Sequence, residues 1–253
     1  MPTDHTVHTS RKLNGPLADF IESFWLLANP TDKPHDIIVL PDGRVDIIFS
    51  LSSTGSFQAW LMGVTSIADQ VVFQAESVIF AVSLKLSAVE YVFEEGIAGL
   101  VNTARELPNG FWDIRSEDLA DFDKFCGKLT DTLTPFFSTT QPDSRKQKLF
   151  NLLYASNGAV SVQDLADRSG WSSRQINRYF NQYFGISLKA YTTILRFQAS
   201  FTQIKEGKFF PEQNYADQPH FIREIRRFAG VSPKELNRNE NDRFIQFSLL
   251  SRK

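Results

Sequence analysis

Residues 161–184 read SVQDLADRSGWSSRQINRYFNQYF, and the local signals in this stretch agree on two short helices joined by a tight turn. Ser161 is placed to cap the first helix, with Asp164 three residues later, and Gly170 suits the left-handed position that ends it. Ser172 caps the second helix, and Gln175 completes a reciprocal capping box. Val162, Leu165, Ala166 and Trp171 can then pack against Ile176, Phe180 and Phe184, which recur every four residues along one side of the second helix. The second helix begins at Ser173. At 100° per residue its other side carries Arg174, Gln175, Arg178 and Gln182, flanked by Asn177 and Asn181, and no carboxylate interrupts it.

Such a pair is a helix-turn-helix whose second helix is suited to the major groove, where Arg takes guanine O6 and N7 and Asn or Gln takes adenine N6 and N7. The competing reading is a solvated face on an ordinary helical pair. The capping, the glycine turn and the absence of acids favour the DNA reading.

A second basic helix follows at NYADQPHFIREIRRFAG, residues 214–230. Asp217 is a good N-cap, and Pro219 falls in the first turn, where its missing N–H costs little. Phe221, Ile225 and Phe228 form a buried stripe. Pro219, Arg223 and Arg226 point the other way, flanked by His220 and Arg227.

The order SVQDLADRSGWSSRQINRYFNQYFGISLKAYTTILRFQAS followed by DQPHFIREIRRFAGVSPKEL resembles the DNA-binding domain of the AraC/XylS family of transcription regulators, over about residues 145–237. The resemblance implies two helix-turn-helix units joined by a long helix over 187–205, with recognition helices entering successive major grooves about one turn apart. Carried over by position, it implies DNA contacts at Arg174, Asn177 and Arg178 in the first unit and at Gln218, His220 and Arg223 in the second. One departure stands out. The family has a scaffold helix before its second recognition helix, whereas this chain has only GKFFPEQNYA there, with Pro211 inside it. The second unit is therefore expected to be truncated, with Phe209, Phe210 and Tyr215 bracing the recognition helix.

The net charge of −2 over 253 residues conceals an asymmetry about the polar stretch STTQPDSRKQK. Divided at Pro142, the first part holds 9 Lys+Arg against 19 Asp+Glu and the second 18 against 10, charges of about −10 and +8. Counterion release rewards Lys and Arg on phosphates, so the second half is the one suited to a polyanion. The length accommodates two domains. No apolar run approaches the roughly 18 residues that span a bilayer, and MPTDHTVHTSRK lacks a secretion signal, so a cytoplasmic, non-membrane protein is expected. Cys126, the single cysteine, reads as a small core residue.

In the first half, IIVL, VDIIFSL, FQAWLMGV, QVVFQ and VIFAVSLKL between residues 37 and 86 read as strands. PDGR at 41–44 has the turn chemistry to join two of them. Asp42 and Asp46 form a conceivable carboxylate pair, but no nucleophile or histidine accompanies them, which argues against catalysis. Residues 117–136 place Leu119, Phe122, Cys126, Leu129, Leu133 and Phe136 at spacings of three and four, an amphipathic helix that packs on its own sheet or pairs with a second subunit. PDGRVDIIF also resembles, more weakly, a "PDG-x-x-D-I-I-F" stretch in the N-terminal domain of a subset of the same regulators. That resemblance implies sensing or dimerisation and names no ligand. Trp25, Trp60, Trp112 and many Phe residues suit a core, and some of them a small-molecule pocket.

The fold class expected is α+β, with a mainly β N-terminal sensing or dimerisation domain and a packed helix over 1–140, and an all-α double helix-turn-helix domain over 141–253. The function expected is a sequence-specific DNA-binding transcription regulator reading double-stranded DNA through Ser173, Arg174, Gln175, Asn177, Arg178, Gln218, His220, Arg223 and Arg226. A small-molecule effector on the first domain and a homodimer are both compatible with it. The alternative is a non-enzymatic interaction protein whose degenerate second unit binds an acidic partner. There is no Walker loop, dinucleotide glycine turn, HExxH or His/Cys ligand spacing, and His5, His8, His35 and His220 are scattered, so no enzyme, cofactor or metal site is expected.

Overall fold

Alternation along the apolar runs builds two antiparallel sheets. The strands are β1 (Val7–Lys12), β2 (Ile21–Asn29), β3 (His35–Val39), β4 (Val45–Leu51), β5 (Phe57–Met62), β6 (Asp69–Phe73), β7 (Ser77–Leu84) and β8 (Ala104–Glu106) in the computed structural model, which describes residues 6–139 and 141–248. Six of them form one sheet in the order β1-β2-β7-β4-β5-β8, and β3 pairs with β6 in a second. PDGR does join two strands, but it carries the chain from one sheet to the other rather than closing a hairpin. The strands read from sequence are all present. The pairing of β1 and β2 was not foreseen: in β2 Leu26 and Leu27 are neighbours, so the period of two is blurred.

The register shows why the larger sheet has two different faces. On one face Phe24, Val82, Ile47 and Leu61 lie across β2, β7, β4 and β5, all buried. That face is covered by α2 (Phe122–Ser138), which follows the short α1 (Leu86–Val92). Phe125 of α2 meets Phe80 at 5.1 Å and Phe49 at 5.9 Å. On the other face Trp25, Ala81, Ile48 and Trp60 form one row, and Ser23, Ser83 and Asp46 the next.

The amphipathic stripe over 117–136 is thus spent on its own sheet, with two changes. Ser116–Ala120 is a 3-10 turn, and α2 begins only after Asp121, whose side chain accepts from the N–H groups of Asp123 and Lys124. Phe137, rather than Phe136, completes the buried side, because Phe137 stacks on Phe20 at 4.4 Å. Cys126 is in the core.

The helical part comprises α3 (Ser144–Ala155), α4 (Val162–Ser169), α5 (Ser173–Phe184), α6 (Leu188–Lys205), α7 (Gln218–Ala229), α8 (Pro233–Arg238) and α9 (Ile245–Ser248). Its apolar residues merge with those of the sheet in one continuous core. Gly43 of the PDGR turn, at φ +74°, sits against α6, where a Cβ would lie 3.1 Å from Tyr191 and from Leu195. The Tyr191 hydroxyl donates to the Gly43 carbonyl at 3.1 Å. Residues 243–246 return to the small sheet: the Ile38 N–H donates to the Arg243 carbonyl at 2.6 Å and the Leu40 N–H to Gln246 Oε1 at 2.7 Å. Among the described residues no helix is long and apolar enough to cross a membrane.

Candidate nucleic-acid interface

The first helix-turn-helix forms from contacts local in sequence. Ser161 Oγ accepts from the Asp164 N–H at 3.1 Å, α4 ends on Gly170 at φ 73°, and α5 opens with the reciprocal Ser172–Gln175 box. Leu165, Ile176, Phe180 and Phe184 are fully buried beneath it. Phe150 of α3 packs among them, 5.9 Å from Phe180. This clamps α5 with its polar side outward.

On that side Arg174, Gln175, Arg178, Asn181 and Gln182 are exposed. Neither Arg174 nor Arg178 joins an ion pair among the described residues. Gln175 is partly committed, its Oε1 accepting from the Ser172 N–H at 2.9 Å. Asn177 is half-buried and donates to the Ser173 carbonyl at 3.0 Å. A cleft beside the helix brings in Arg145 and Lys146 of α3 with Trp171, Arg178 and Gln182. Arg145 lies over the Trp171 ring at 5.5 Å. Sequence reading missed these two basic residues, although they stand at the start of the helix after the polar linker, where the charge balance changes sign.

The helix α7 has the shortened setting that its sequence implies: no helix lies between α6 and α7. Tyr215 takes the bracing position, its ring 5.2 Å from Phe221 and its hydroxyl 3.1 Å from Ser200 Oγ. Phe197 of α6 packs on Phe228 at 5.0 Å. Phe209 is half-buried, but Phe210 is 69% exposed and braces nothing, because the turn after α6 directs it to solvent. Asp217 caps α7 through the His220 N–H at 2.7 Å.

The polar residues of α7 divide into two groups. Arg223 and Arg226 are exposed and in no ion pair among the described residues. Gln218 and His220 are half-buried in the entry turn: Gln218 Nε2 donates to the Phe209 carbonyl at 3.3 Å, and His220 Nδ1 accepts from the Ala216 N–H at 3.2 Å. The helix thus presents arginine outward, while its first turn is engaged in holding the shortened loop.

The helical part is also seated on the sheet. The Ile97 N–H donates to the Tyr183 carbonyl at the end of α5 at 2.7 Å. Gly185, at φ +72°, lies where a Cβ would come 2.3 Å from the Ala98 carbonyl oxygen. Lys146 pairs with Glu90 of α1.

The second polar constellation is Asp42, Arg44 and Asp46. With Glu22 they line a cavity of about 240 Å³ bounded by residues of both sheets, α6 and residues 245–246. Arg44 pairs with Glu22 at 2.9 Å and lies over the Tyr154 ring at 5.2 Å. Trp25 Nε1 donates to Asp46 Oδ1 at 3.3 Å. Burial first, and then the neighbouring Asp42 charge, push the Asp46 carboxyl up to about 7 against the lowering effects of Ser83, Trp25 and Arg44. Asp42 is also raised, chiefly by burial. A carboxyl whose folded value is raised destabilises as pH climbs from its ordinary value toward the folded one. The protein is therefore expected to lose stability between about pH 4 and pH 7, and Asp46→Asn to remove about 2 kcal/mol of the loss between pH 5 and pH 8. Urea unfolding of both proteins at the two pH values reads this, and parallel losses would count against it.

A family model described as a domain of unknown function (DUF6597) matches residues 14–106, the sheet from before β2 to β8. No curated protein matches the chain. Among solved structures the chain is similar to a transcriptional regulator of the AraC-type DNA-binding domain-containing proteins from Chromobacterium violaceum, at 22% identity over 38% of this chain and 90% of that one, with a TM-score of 0.32. It is similar to ToxT from Vibrio cholerae at 12% identity over 98% of this chain and 99% of that one, with a TM-score of 0.40. For ToxT with a bound unsaturated fatty acid the identity is 13% over 93% and 96%, with a TM-score of 0.39.

Proposed function

We propose that the chain is a sequence-specific DNA-binding transcription regulator. Residues 141–253 form its DNA-reading domain, and residues 1–140 its sensing or dimerisation domain, open to control by a small-molecule effector. The observation that carries this reading is the outward presentation of Arg174, Arg178, Arg223 and Arg226, in no ion pair among the described residues, on two helices whose opposite sides pack into the core. Arginines held this way can give bidentate contacts to guanine or ion contacts to phosphate at no cost in broken ion pairs. α5, with Ser173, Gln175 and Asn177 around its arginines, is the main base reader. α7 contributes through Arg223 and Arg226, with Gln218 and His220 setting its entry angle. An acidic sheet half keeps nonspecific adhesion to DNA confined to the helical side.

Selection from a random duplex library at about 150 mM salt tests this. A single enriched motif is the expected outcome, and uniform recovery overturns the reading. On the enriched site Arg178→Ala is expected to cost about 1–3 kcal/mol, with a much smaller loss on unrelated duplex. Equal loss on both would make Arg178 a phosphate contact.

A further inference from the structure

The cavity beneath Trp25 takes no part in the DNA interface. We propose that it binds an organic amine carried on an apolar body about the size of a bicyclic ring, with the ammonium seated at Asp42 and Asp46 and the body against Trp25, Ile48, Ile79 and Phe201. This deepens the effector part of the function proposed above, and only its regulatory consequence rests on that reading.

Shape and lining set the body. The cavity's 240 Å³ lies just below the range of about 300–1,000 Å³ usual for small-molecule pockets, which suits a compact body. Most of the wall is aliphatic or aromatic, as in pockets that hold small organic ligands. Charge sets the head group. Three carboxylates, Glu22, Asp42 and Asp46, face one guanidinium. Arg44 is committed to Glu22 and to the face of Tyr154, and among the described residues neither Asp42 nor Asp46 joins an ion pair. Two lysines also stand near Glu22, and neither lines the cavity: Lys12 pairs with Glu22 at 4.0 Å, and Lys85 donates to the Ala18 carbonyl at 2.5 Å. Asp46 is left with two neutral donors, Trp25 and Ser83. Arg44 offsets part of the charge on both aspartates, but two recessed carboxylates with no ion-pair partner of their own are costly, and an ammonium seated at both removes their repulsion as well as pairing with each.

One observation favours the opposite charge. Arg44 Nη1 is buried without a hydrogen-bond partner, the kind of group an anionic ligand would seek. A carboxylate placed there would lie beside Asp42, whose oxygen already accepts the Arg44 backbone N–H at 2.9 Å. The excess of negative charge decides for the cation. Phe201 and Gln198 of α6 and Gln246 also line the cavity, so an occupant touches the helix that follows the first recognition helix.

The test compares probes of one shape and three charges on the full chain: tryptamine, the neutral tryptophol, and indole-3-propionate, with 1-naphthylmethylamine as a second amine. Thermal unfolding and titration calorimetry are the readouts, since a ligand of the folded state raises the midpoint with its concentration. The amines are expected to bind, and more tightly as pH passes through 7 and Asp46 gives up its competing proton. Asp46→Asn or Asp42→Asn, each checked for a native circular dichroism spectrum, is expected to weaken amine binding about 30-fold or more. The proposal is overturned if indole-3-propionate binds as well as tryptamine, if neither amine binds at millimolar concentration, or if both asparagine variants bind amines unchanged. Amine binding without any enriched DNA sequence, with or without amine, would sink the regulator reading and leave the site standing.

Discussion

Phe125→Ala is expected to cost about 3–5 kcal/mol, enough to consume a large part of the stability of an ordinary domain. Phe125 is fully buried where α2 crosses the sheet. Its ring is edge-on to Phe80 at 5.1 Å, Phe49 at 5.9 Å and Phe24 at 6.4 Å, and stacks with Phe122 at 6.4 Å. Truncation removes the ring's transfer energy, its edge-to-face contacts and the fill of a space that four neighbouring rings are too stiff to close. Phe125→Leu keeps most of the volume and should recover a large share of the loss. Urea unfolding of the two variants measures both. A loss below about 1 kcal/mol for the alanine variant would mean that α2 is not the cover of this sheet.

The second large effect comes from a matched pair of glycines. Gly170 and Gly185 end the two helices of the helix-turn-helix with almost the same backbone, φ 73° and 72°. Alanine at Gly170 meets no atom within 4 Å, so it should cost only the left-handed strain, about 1 kcal/mol. At Gly185 the added carbon falls 2.3 Å from the Ala98 carbonyl and 2.8 Å from a Val101 methyl. Overpacking adds about 1–3 kcal/mol, for a total of about 2–4 kcal/mol. The difference between the variants isolates the seating of α5 on the sheet half. Equal costs would show that α5 moves free of the Ala98–Leu100 turn. If α5 is seated as described, Gly185→Ala should also loosen any coupling between the cavity and DNA binding, whereas Gly170→Ala should spare it.

What could be read in the sequence, and what could not, follows the distance over which each feature is decided. The caps of α4, α5 and α7 are settled within three or four residues, as with Ser172 and Gln175 or Asp217 and His220. The absence of a scaffold helix before α7 was equally legible, from Pro211 and the short spacing. Features set by remote partners were not. Phe136 and Phe137 are distinguished by Phe20, more than a hundred residues away in sequence. Gln218 and His220 look like free recognition side chains in the sequence, yet a loop carbonyl and a loop N–H hold them. Asp42 and Asp46 read in the sequence only as a carboxylate pair with no nucleophile or histidine beside it. Their place in a cavity emerges only once β2, β4, β7 and α6 are brought together.

The return of residues 243–246 to β3 bears on how the protein is made. A ribosome delivers Leu40 long before Gln246, the residue 206 positions later whose side chain accepts its N–H. At about 5–20 residues per second that interval lasts about 10–40 s. Throughout it the nascent sheet carries an unfilled strand edge, and its cavity lacks the wall supplied by Ile245 and Gln246. An open edge of this kind invites pairing with another growing chain. The acidic charge of this half provides repulsion between neighbouring copies until residues 243–246 arrive.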